Sequence, residues 1–319
     1  MAEDGKLLTA ALVAGPRRSR AQRVLDALGR QTARDAMEIA VIDAGPADAP
    51  PLRPPEGVPC DYVRRPGERS WTRLRYELVH LARAPVFAFI EDHCYPLPGW
   101  AEALIERHRE PWAAVAYAFT NANPVNYVAR ACMVCDYGLW MHPVTETRPR
   151  VLPGNNVSYK RETLLSFGDD LAALLSPDFA LQEKLRQMGA PTCVEPRALA
   201  AHENFESLAD LLEANHNYSR AVGARRALTQ GWGRPRRWFY GLATPIGSPL
   251  IRMLRLFASL RGRSSIATQV LAAFPVYALA YPWSAIGEAA GYLFGEKRAD
   301  DDLFECELAR VRRLDSRDR

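Results

Sequence analysis

The chain has 319 residues, of which 48% are hydrophobic and 24% are charged. Such a composition supplies a substantial core and excludes an intrinsically disordered protein, and the length fits one large or two modest domains. Six cysteines are too few for a disulfide framework in a chain this long, and the early acids Glu3 and Asp4 are unlike an export signal. We therefore expect reduced thiols and no export.

The net charge of +4 conceals an uneven distribution along the chain. No acid occurs between Glu213 and Glu288, whereas the same interval holds ten arginines. The rest of the chain therefore has 31 of the 41 basic residues and all 37 acidic residues. An acid-free arginine block suits anionic lipid headgroups. Nucleic acid is the other partner of such a patch, but no recognisable nucleic-acid-binding module accompanies it. We expect an acidic body followed by a basic region that contacts membranes, and no nucleic acid.

Strand-like and helical segments alternate through the first 120 residues. Apolar runs predict strands at 7–14, 38–43, 60–63, 86–90 and 112–119, and helical spacing predicts helices at 20–30, 71–82 and 99–108. The alternation is typical of βαβ units and predicts an α/β fold with a largely parallel sheet flanked by helices.

Beyond residue 121 the pattern becomes irregular before it turns helical. We predict a short strand at 156–161, a helix at 179–188 that ends at Gly189, and a long helix at 205–228. Cys132 and Cys135 form an isolated C-x-x-C without a second ligand pair at suitable spacing. We interpret them as two small apolar residues one helical turn apart rather than as a zinc site.

The region after Trp232 combines arginines with aromatic and aliphatic residues, and 250–260 predicts an amphipathic basic helix. Ser264–Gly287 carries no formal charge and exceeds the roughly 20 residues that cross a bilayer. It is rich in alanine, however, and contains Pro275 and Pro282. Three interpretations stay open: an interfacial or re-entrant helical pair, a true span, and a soluble helical subdomain or partner interface.

The most informative stretch is Phe89–Trp100, where an apolar segment ends in Glu91, Asp92 and His93 and a loop rich in proline and glycine follows. Ionised carboxylates are rarely buried without a partner, and a divalent cation is the usual partner of such a cluster. Open α/β sheets place their ligands at the carboxyl ends of strands. The stretch therefore predicts a metal site at the end of a buried strand.

Seven segments resemble, in order and spacing, the family-2 glycosyltransferases of the GT-A fold. They cover about the first 220 residues and comprise Arg23–Thr32, Val41–Gly45, Arg75, Phe89–Trp100, Gly154–Arg161, Pro177–Gly189 and His202. The chain departs from the family where Glu91-Asp92-His93 replaces Asp-x-Asp, where Gly15-Pro16-Arg17-Arg18 replaces Pro-x-x-Asn, and where Pro177 replaces a glutamate.

The resemblance implies a role for nine residues of this chain. These are nucleotide contacts by Asp43, Arg75, Glu91 and Asp92, metal ligation by Asp92, His93 and His202, acceptor contacts by Asn155 and Asn156, and general-base catalysis by Asp178. Imidazole is a competent ligand for Mn²⁺ and a poorer one for Mg²⁺, so the expected cofactor is Mn²⁺ or Mg²⁺. Arg17 and Arg18 are further candidates for contact with a diphosphate.

Several of these roles have ordinary structural alternatives. His93 can instead be a hydrogen-bonded loop histidine. The segment that identifies His202 as a ligand is short, so His202 can also be an ordinary structural histidine. Asp178 can cap the helix that follows it, and this role can coexist with catalysis. Asp43 can be a turn residue at a strand end.

The expected function is metal-assisted transfer, with inversion, of a sugar from a nucleotide-diphospho-sugar to a hydroxyl of a glycan or lipid-linked acceptor. Residues 1–230 would form the GT-A catalytic domain and residues 231–319 a helical membrane-associating region with a charged tail. We expect this region to place the protein on the cytoplasmic face of the membrane, peripherally or monotopically, with a single span as a further possibility. The alternatives are a polyprenyl-phosphate sugar synthase and a catalytically silent nucleotide-binding scaffold at the membrane.

Overall fold

A computed structural model describes residues 5–144, 151–175, 179–295 and 304–309, and an eight-stranded sheet lies at its centre. The strands are β1 (Leu8–Ala14), β2 (Met37–Asp43), β3 (Cys60–Arg64), β4 (Val86–Ile90), β5 (Cys94–Pro96), β6 (Ala114–Asn121), β7 (Val157–Lys160) and β8 (Thr192–His202). The chain divides into two units, the first formed by residues 1–120, 147–201 and 307–319 and the second by residues 121–146 and 202–306.

Eleven α-helices occur in the described part of the chain. They are α1 (Arg18–Gly29), α2 (Trp71–Leu81), α3 (Trp100–Arg107), α4 (Tyr127–Tyr137), α5 (Arg161–Leu165), α6 (Leu171–Leu174), α7 (Phe179–Gln187), α8 (Leu208–Thr229), α9 (Arg234–Ala258), α10 (Ser264–Ala272) and α11 (Phe274–Phe294). A short π-helical turn covers Glu305–Ala309.

The strands lie in the order β3-β2-β1-β4-β7-β6-β8-β5. The four at the β3 side run parallel to one another, whereas β7 is antiparallel to both β4 and β6. The parallel half confirms the predicted βαβ alternation, and the other half makes the sheet mixed. The α/β fold class inferred from the sequence is confirmed.

The parallel strands β1, β2 and β4 are buried along their whole length. Parallel strands read as continuous apolar runs because both of their faces are covered, which explains why the sequence marked them clearly. Their register pairs Ala14 with Asp43 and Leu12 with Ile90. The loops that follow these three strands therefore meet at one edge of the sheet, where the functional residues lie.

Helix α2 shows how the sequence sets a helix against this sheet. The hydroxyl of Ser70 accepts a hydrogen bond from the backbone N–H of Arg73, which caps the helix start. The buried face carries Trp71, Leu74, Arg75, Leu78 and Val79, at helical spacing. Arg75 is the one cation on this buried face, and it needs a polar partner there.

Among the elements that the sequence did not predict are the short helices α5 and α6, helix α4 and two strands. Helix α4 occupies a region expected to be irregular, although Asn126 caps it by accepting a hydrogen bond from the N–H of Ala129. Cys132 and Cys135 lie buried on this helix, as two small residues one turn apart. The short strand β5 and the long strand β8 were also missed.

In the second unit, α8 and α11 pack with their backbones in close contact. Gly287 lies against the carbonyl oxygen of His216, and Gly291 against that of Arg220, so a side chain at either glycine would collide. Helix α11 buries ten of its residues, among them Tyr277, Tyr281 and Tyr292.

Among the described residues, no single helix combines the length and apolarity of a membrane span. The helices α10 and α11 satisfy the criterion only when taken together, and the chain bends by 71° between them. Helix α9 begins earlier than predicted and runs through Pro245 and Pro249.

Candidate functional site

The turn Glu91-Asp92-His93 follows directly on β4, as the sequence predicted. The N–H of Cys94 donates to the carbonyl oxygen of Glu91 at 3.1 Å and closes the turn. All three side chains are buried, with exposed fractions of 7% for Glu91, 0% for Asp92 and 1% for His93. Burying two carboxylates is unfavourable unless cations and hydrogen-bond donors surround them.

Two amides hold the carboxylate of Glu91. Asn155 donates through Nδ2 to Oε1 at 2.8 Å, and Asn156 donates through Nδ2 to Oε2. The Oδ1 atom of Asn156 accepts from the N–H of Glu91 at 3.1 Å. Nη1 of Arg75 donates to Oδ1 of Asn155 at 2.7 Å, and its guanidinium lies 4.0 Å from the ring centroid of Phe89. Four residues singled out in the sequence thus form one network.

Asp92 pairs with Arg20, a residue of the first turn of α1 that the sequence analysis missed. Nη2 of Arg20 donates to Oδ1 of Asp92, and Arg20 is only 2% exposed. Nδ1 of His93 lies 2.9 Å from Oδ1 of Asp92 and 2.8 Å from Nη2 of Arg20. The first contact requires a proton on Nδ1 and the second a lone pair there, so one tautomer cannot satisfy both.

His202 is the last residue of β8, and its backbone is therefore part of the strand. Nδ1 of His202 lies 3.0 Å from Oδ1 of Asn204, whose Nδ2 donates to Oδ1 of Asn121 and to the carbonyl oxygen of His202. With the amide oriented by these bonds, Oδ1 faces His202 and accepts its Nδ1 proton, which places the lone pair on Nε2. A metal-ligating histidine requires this arrangement.

Glu91, His93 and His202 could together hold a metal ion. Each offers one ligand atom, and these atoms lie within 4.8 Å of one another. Two imidazole nitrogens and one carboxylate oxygen form a donor set that suits Mn²⁺ and other first-row divalent ions. Asp92, expected as a ligand, contacts Arg20 and His93, and its ligation stays a prediction. Glu91, expected to contact nucleotide, belongs to the cluster.

Asp43 lies at the same sheet edge, at the end of β2, and is fully buried. Arg18 donates to both of its oxygens, at 2.6 and 2.8 Å, and Tyr62 and the N–H of Gly45 also donate to it. Burial by itself raises the pKa of Asp43, but these bonds, led by Arg18, outweigh it and lower the pKa below its ordinary value. Asp43 is therefore a carboxylate that fixes Arg18 and Tyr62 in place.

The predicted base Asp178, with Pro177 before it, lies outside the described residues, and its role stays a prediction.

Three contributors to the site were missed in the sequence, namely Arg20, Tyr62 and Asn204. Arg20 had a usable signal, since it falls in the first turn of a helix that begins where a buried strand ends. Tyr62 and Asn204 act through contacts with residues distant in the chain, which no local pattern indicates.

Comparison with known proteins supports the assignment made from the sequence. Residues 17–157 match the family model described as glycosyl transferase family 2. The predicted family resemblance is confirmed over these residues. The match includes Asp43, Arg75 and the Glu91-Asp92-His93 turn. A search of curated proteins finds no match.

Solved structures show the same fold. A mannosyltransferase from Pyrobaculum calidifontis, PcManGT, solved with GDP-Man and Mn²⁺, superposes with a TM-score of 0.56 at 14% identity, covering 91% of this chain and 88% of that one. At this identity the likeness shows a shared GT-A fold. The S. aureus protein TarS (residues 1–349), solved with UDP, gives a TM-score of 0.47 at 12% identity over 89% of this chain and 90% of that one, which is too low to carry an argument.

The ligand cluster leads to a prediction about metal binding. The wild-type chain should bind Mn²⁺, and His93→Ala or His202→Ala should each weaken binding at least tenfold, because even partners behind a ligand commonly contribute about 10- to 100-fold. Electron paramagnetic resonance of free Mn²⁺ during a titration measures the affinity. His80→Ala, at an exposed histidine of α2, is the matched control and should bind like wild type. Wild-type affinity in both site variants would contradict the assignment.

Proposed function

We propose that this chain transfers a sugar, with inversion, from a nucleotide-diphospho-sugar to a hydroxyl group, assisted by a divalent cation. The observation that carries the proposal is the buried cluster of Glu91, His93 and His202 at the ligand-binding edge of a GT-A sheet. The fold shared with a mannosyltransferase solved with GDP-Man and Mn²⁺ supports it.

The chemistry of the leaving group explains why such a cluster is needed. A sugar leaves a nucleoside diphosphate only if the charge that develops on the phosphates is stabilised, and a bound divalent cation supplies this stabilisation. In this chain Glu91, His93 and His202 would hold the cation. Asn155 and Asn156 hold Glu91 in position, while Asp92 orients His93. Direct acceptor contacts by the two asparagines, and metal ligation by Asp92, stay predictions.

The nucleoside end of the donor is proposed to lie along the neighbouring strands. Asp43, the last residue of β2, holds Arg18 of α1 and Tyr62 of β3. A planar guanidinium and a phenol ring are suited to a nucleobase and its ribose. Asp43 would then contribute to nucleotide binding mainly through the two side chains that it fixes. Arg75 would contribute to nucleotide binding from its position beside Asn155, which in turn holds Glu91.

The transfer itself is proposed as a single in-line displacement. The acceptor oxygen forms a bond to the anomeric carbon as the bond to the nucleoside diphosphate breaks, and the configuration inverts. Asp178 takes the proton of the attacking hydroxyl as general base. The resemblance of Pro177–Gly189 to the family's Glu-Asp pair and the glycine-terminated helix after it supports this role.

A lipid-linked acceptor at an anionic membrane is proposed from the surface of α9. Large apolar side chains of this helix are exposed, with fractions of 67% for Phe239, 69% for Leu242, 72% for Ile246 and 69% for Leu254. Their spacing of three, four and eight residues places them on one face, and arginines occupy the same helix. A basic helix with an exposed apolar face is suited to lie in the bilayer interface. Placement on the cytoplasmic face stays a prediction.

Loss of the proposed base should stop transfer without preventing donor binding. The wild-type chain, incubated with Mn²⁺, a lipid extract and a panel of UDP- and GDP-sugars, should release nucleoside diphosphate from its own donor. Asp178→Asn should reduce this rate by about 100-fold or more, as expected for removal of a general base, with nucleotide affinity unchanged. Asp169→Asn, at an exposed acid of the short helix Gly168–Asp170, is the control. A full rate in Asp178→Asn would overturn the role of the residue, and no release from any donor would favour the catalytically silent scaffold.

Removal of the apolar face of α9 should release the protein from anionic vesicles. The fourfold variant Phe239→Ser, Leu242→Ser, Ile246→Ser and Leu254→Ser should lose at least about tenfold in partitioning, because each apolar side chain contributes about 1 kcal/mol or more. Flotation with vesicles of phosphatidylcholine and phosphatidylglycerol measures the bound fraction. Leu228→Ser, at a 60% exposed leucine of α8, is the control. Equal flotation of the fourfold variant and wild type would exclude α9 as the docking surface.

A further inference from the structure

The C-terminal residues Glu307 and Leu308 lie in the cavity of the proposed donor site. Together with the motif residues Glu91, Asp92 and His93, they line a cavity that also includes Arg75 and Asn155. All of these residues belong to the first unit. Glu307 and Leu308 thus occupy part of the wall of the proposed donor site.

Leu308 is seated against the loop that follows β1. It is only 1% exposed, and a Cβ atom on residue 15 would lie 2.6 Å from the Cβ of Leu308 and 3.3 Å from its Cα. The contact therefore requires glycine at position 15, because any larger residue would collide with Leu308. This loop follows the carboxyl end of β1 and leads into the N-terminus of α1, and such a position commonly binds phosphate groups.

The same segment is joined to the metal motif through Arg20. Nη2 of Arg20 donates to the carbonyl oxygen of Glu307 at 3.3 Å and also to Oδ1 of Asp92. One guanidinium thus contacts both the C-terminal segment and the Glu91-Asp92-His93 turn. A diphosphate lying between the β1 loop and this turn would compete with Leu308 for space and with the carbonyl of Glu307 for Arg20.

We propose that Glu307 and Leu308 form an autoinhibitory plug that binds in competition with the nucleoside diphosphate of the donor. The inference rests on the proposed function, because it takes the cavity beside Glu91, Asp92 and His93 as the donor site. Donor binding then requires the plug to leave the cavity. The apparent affinity for the donor is therefore reduced in proportion to the fraction of molecules in which the plug is bound. Burial of one leucine corresponds to about 10-fold or more in an equilibrium constant.

The test compares nucleotide affinity in full-length variants. Isothermal titration with UDP and with GDP, in the presence of Mn²⁺, should show about tenfold tighter binding to Leu308→Ser than to wild type. Leu308→Met retains the apolar contact and should bind like wild type. Leu228→Ser changes an exposed leucine of α8 and should also bind like wild type.

Hydrogen–deuterium exchange of the wild-type chain gives a second readout that needs no variant. Adding the nucleotide that binds should increase exchange in peptides that cover residues 304–308, because the plug is displaced. Equal affinity in Leu308→Ser and wild type, or weaker binding with reduced exchange, would overturn the plug while leaving the proposed function intact; the second result would make the segment a lid over bound donor. Failure of every variant to bind either nucleotide would overturn both proposals.

Discussion

The burial of charge at the end of β4 is the constraint on which the rest of the site depends. Glu91 and Asp92 are removed from water, and each requires compensation. Arg20 supplies it directly to Asp92, and the amides of Asn155 and Asn156 supply it to Glu91. These partners come from α1 and from the segment before β7, so the loops at this edge are fixed by the same charges that the function requires.

The parallel half of the sheet makes this concentration of charge possible. Because β1, β2 and β4 run in the same direction and in register, the loops that follow them carry Gly15, Asp43 and Glu91 to one edge. At this edge Arg18 and Tyr62 donate hydrogen bonds to Asp43, just as two asparagines donate hydrogen bonds to Glu91. The site is thus a row of buried carboxylates, each held by donors that face the same edge.

The sequence revealed those parts of the fold and site whose signals are local. Continuous apolar runs marked β1, β2 and β4, and the abrupt change at Glu91 marked the strand end. Strand β8 was missed because its buried and partly exposed residues follow no simple apolar run. The pairing of Arg20 with Asp92 spans 72 residues, and the contact of Glu307 with Arg20 spans 287, so neither leaves a pattern in the sequence. Metal ligation was expected from Asp92, and the cluster also brings in its neighbour Glu91, which the sequence indicated only as a nucleotide contact.

The central claim is that Glu91, His93 and His202 hold a cation that binds the diphosphate of the donor. The most direct measurement is the dissociation constant of UDP and of GDP for the full chain, by isothermal titration with Mn²⁺ and then with excess EDTA. The account predicts that one of these nucleotides binds at least about tenfold more tightly with Mn²⁺, and that Glu91→Gln abolishes the difference. Equal affinity with and without the metal would contradict it.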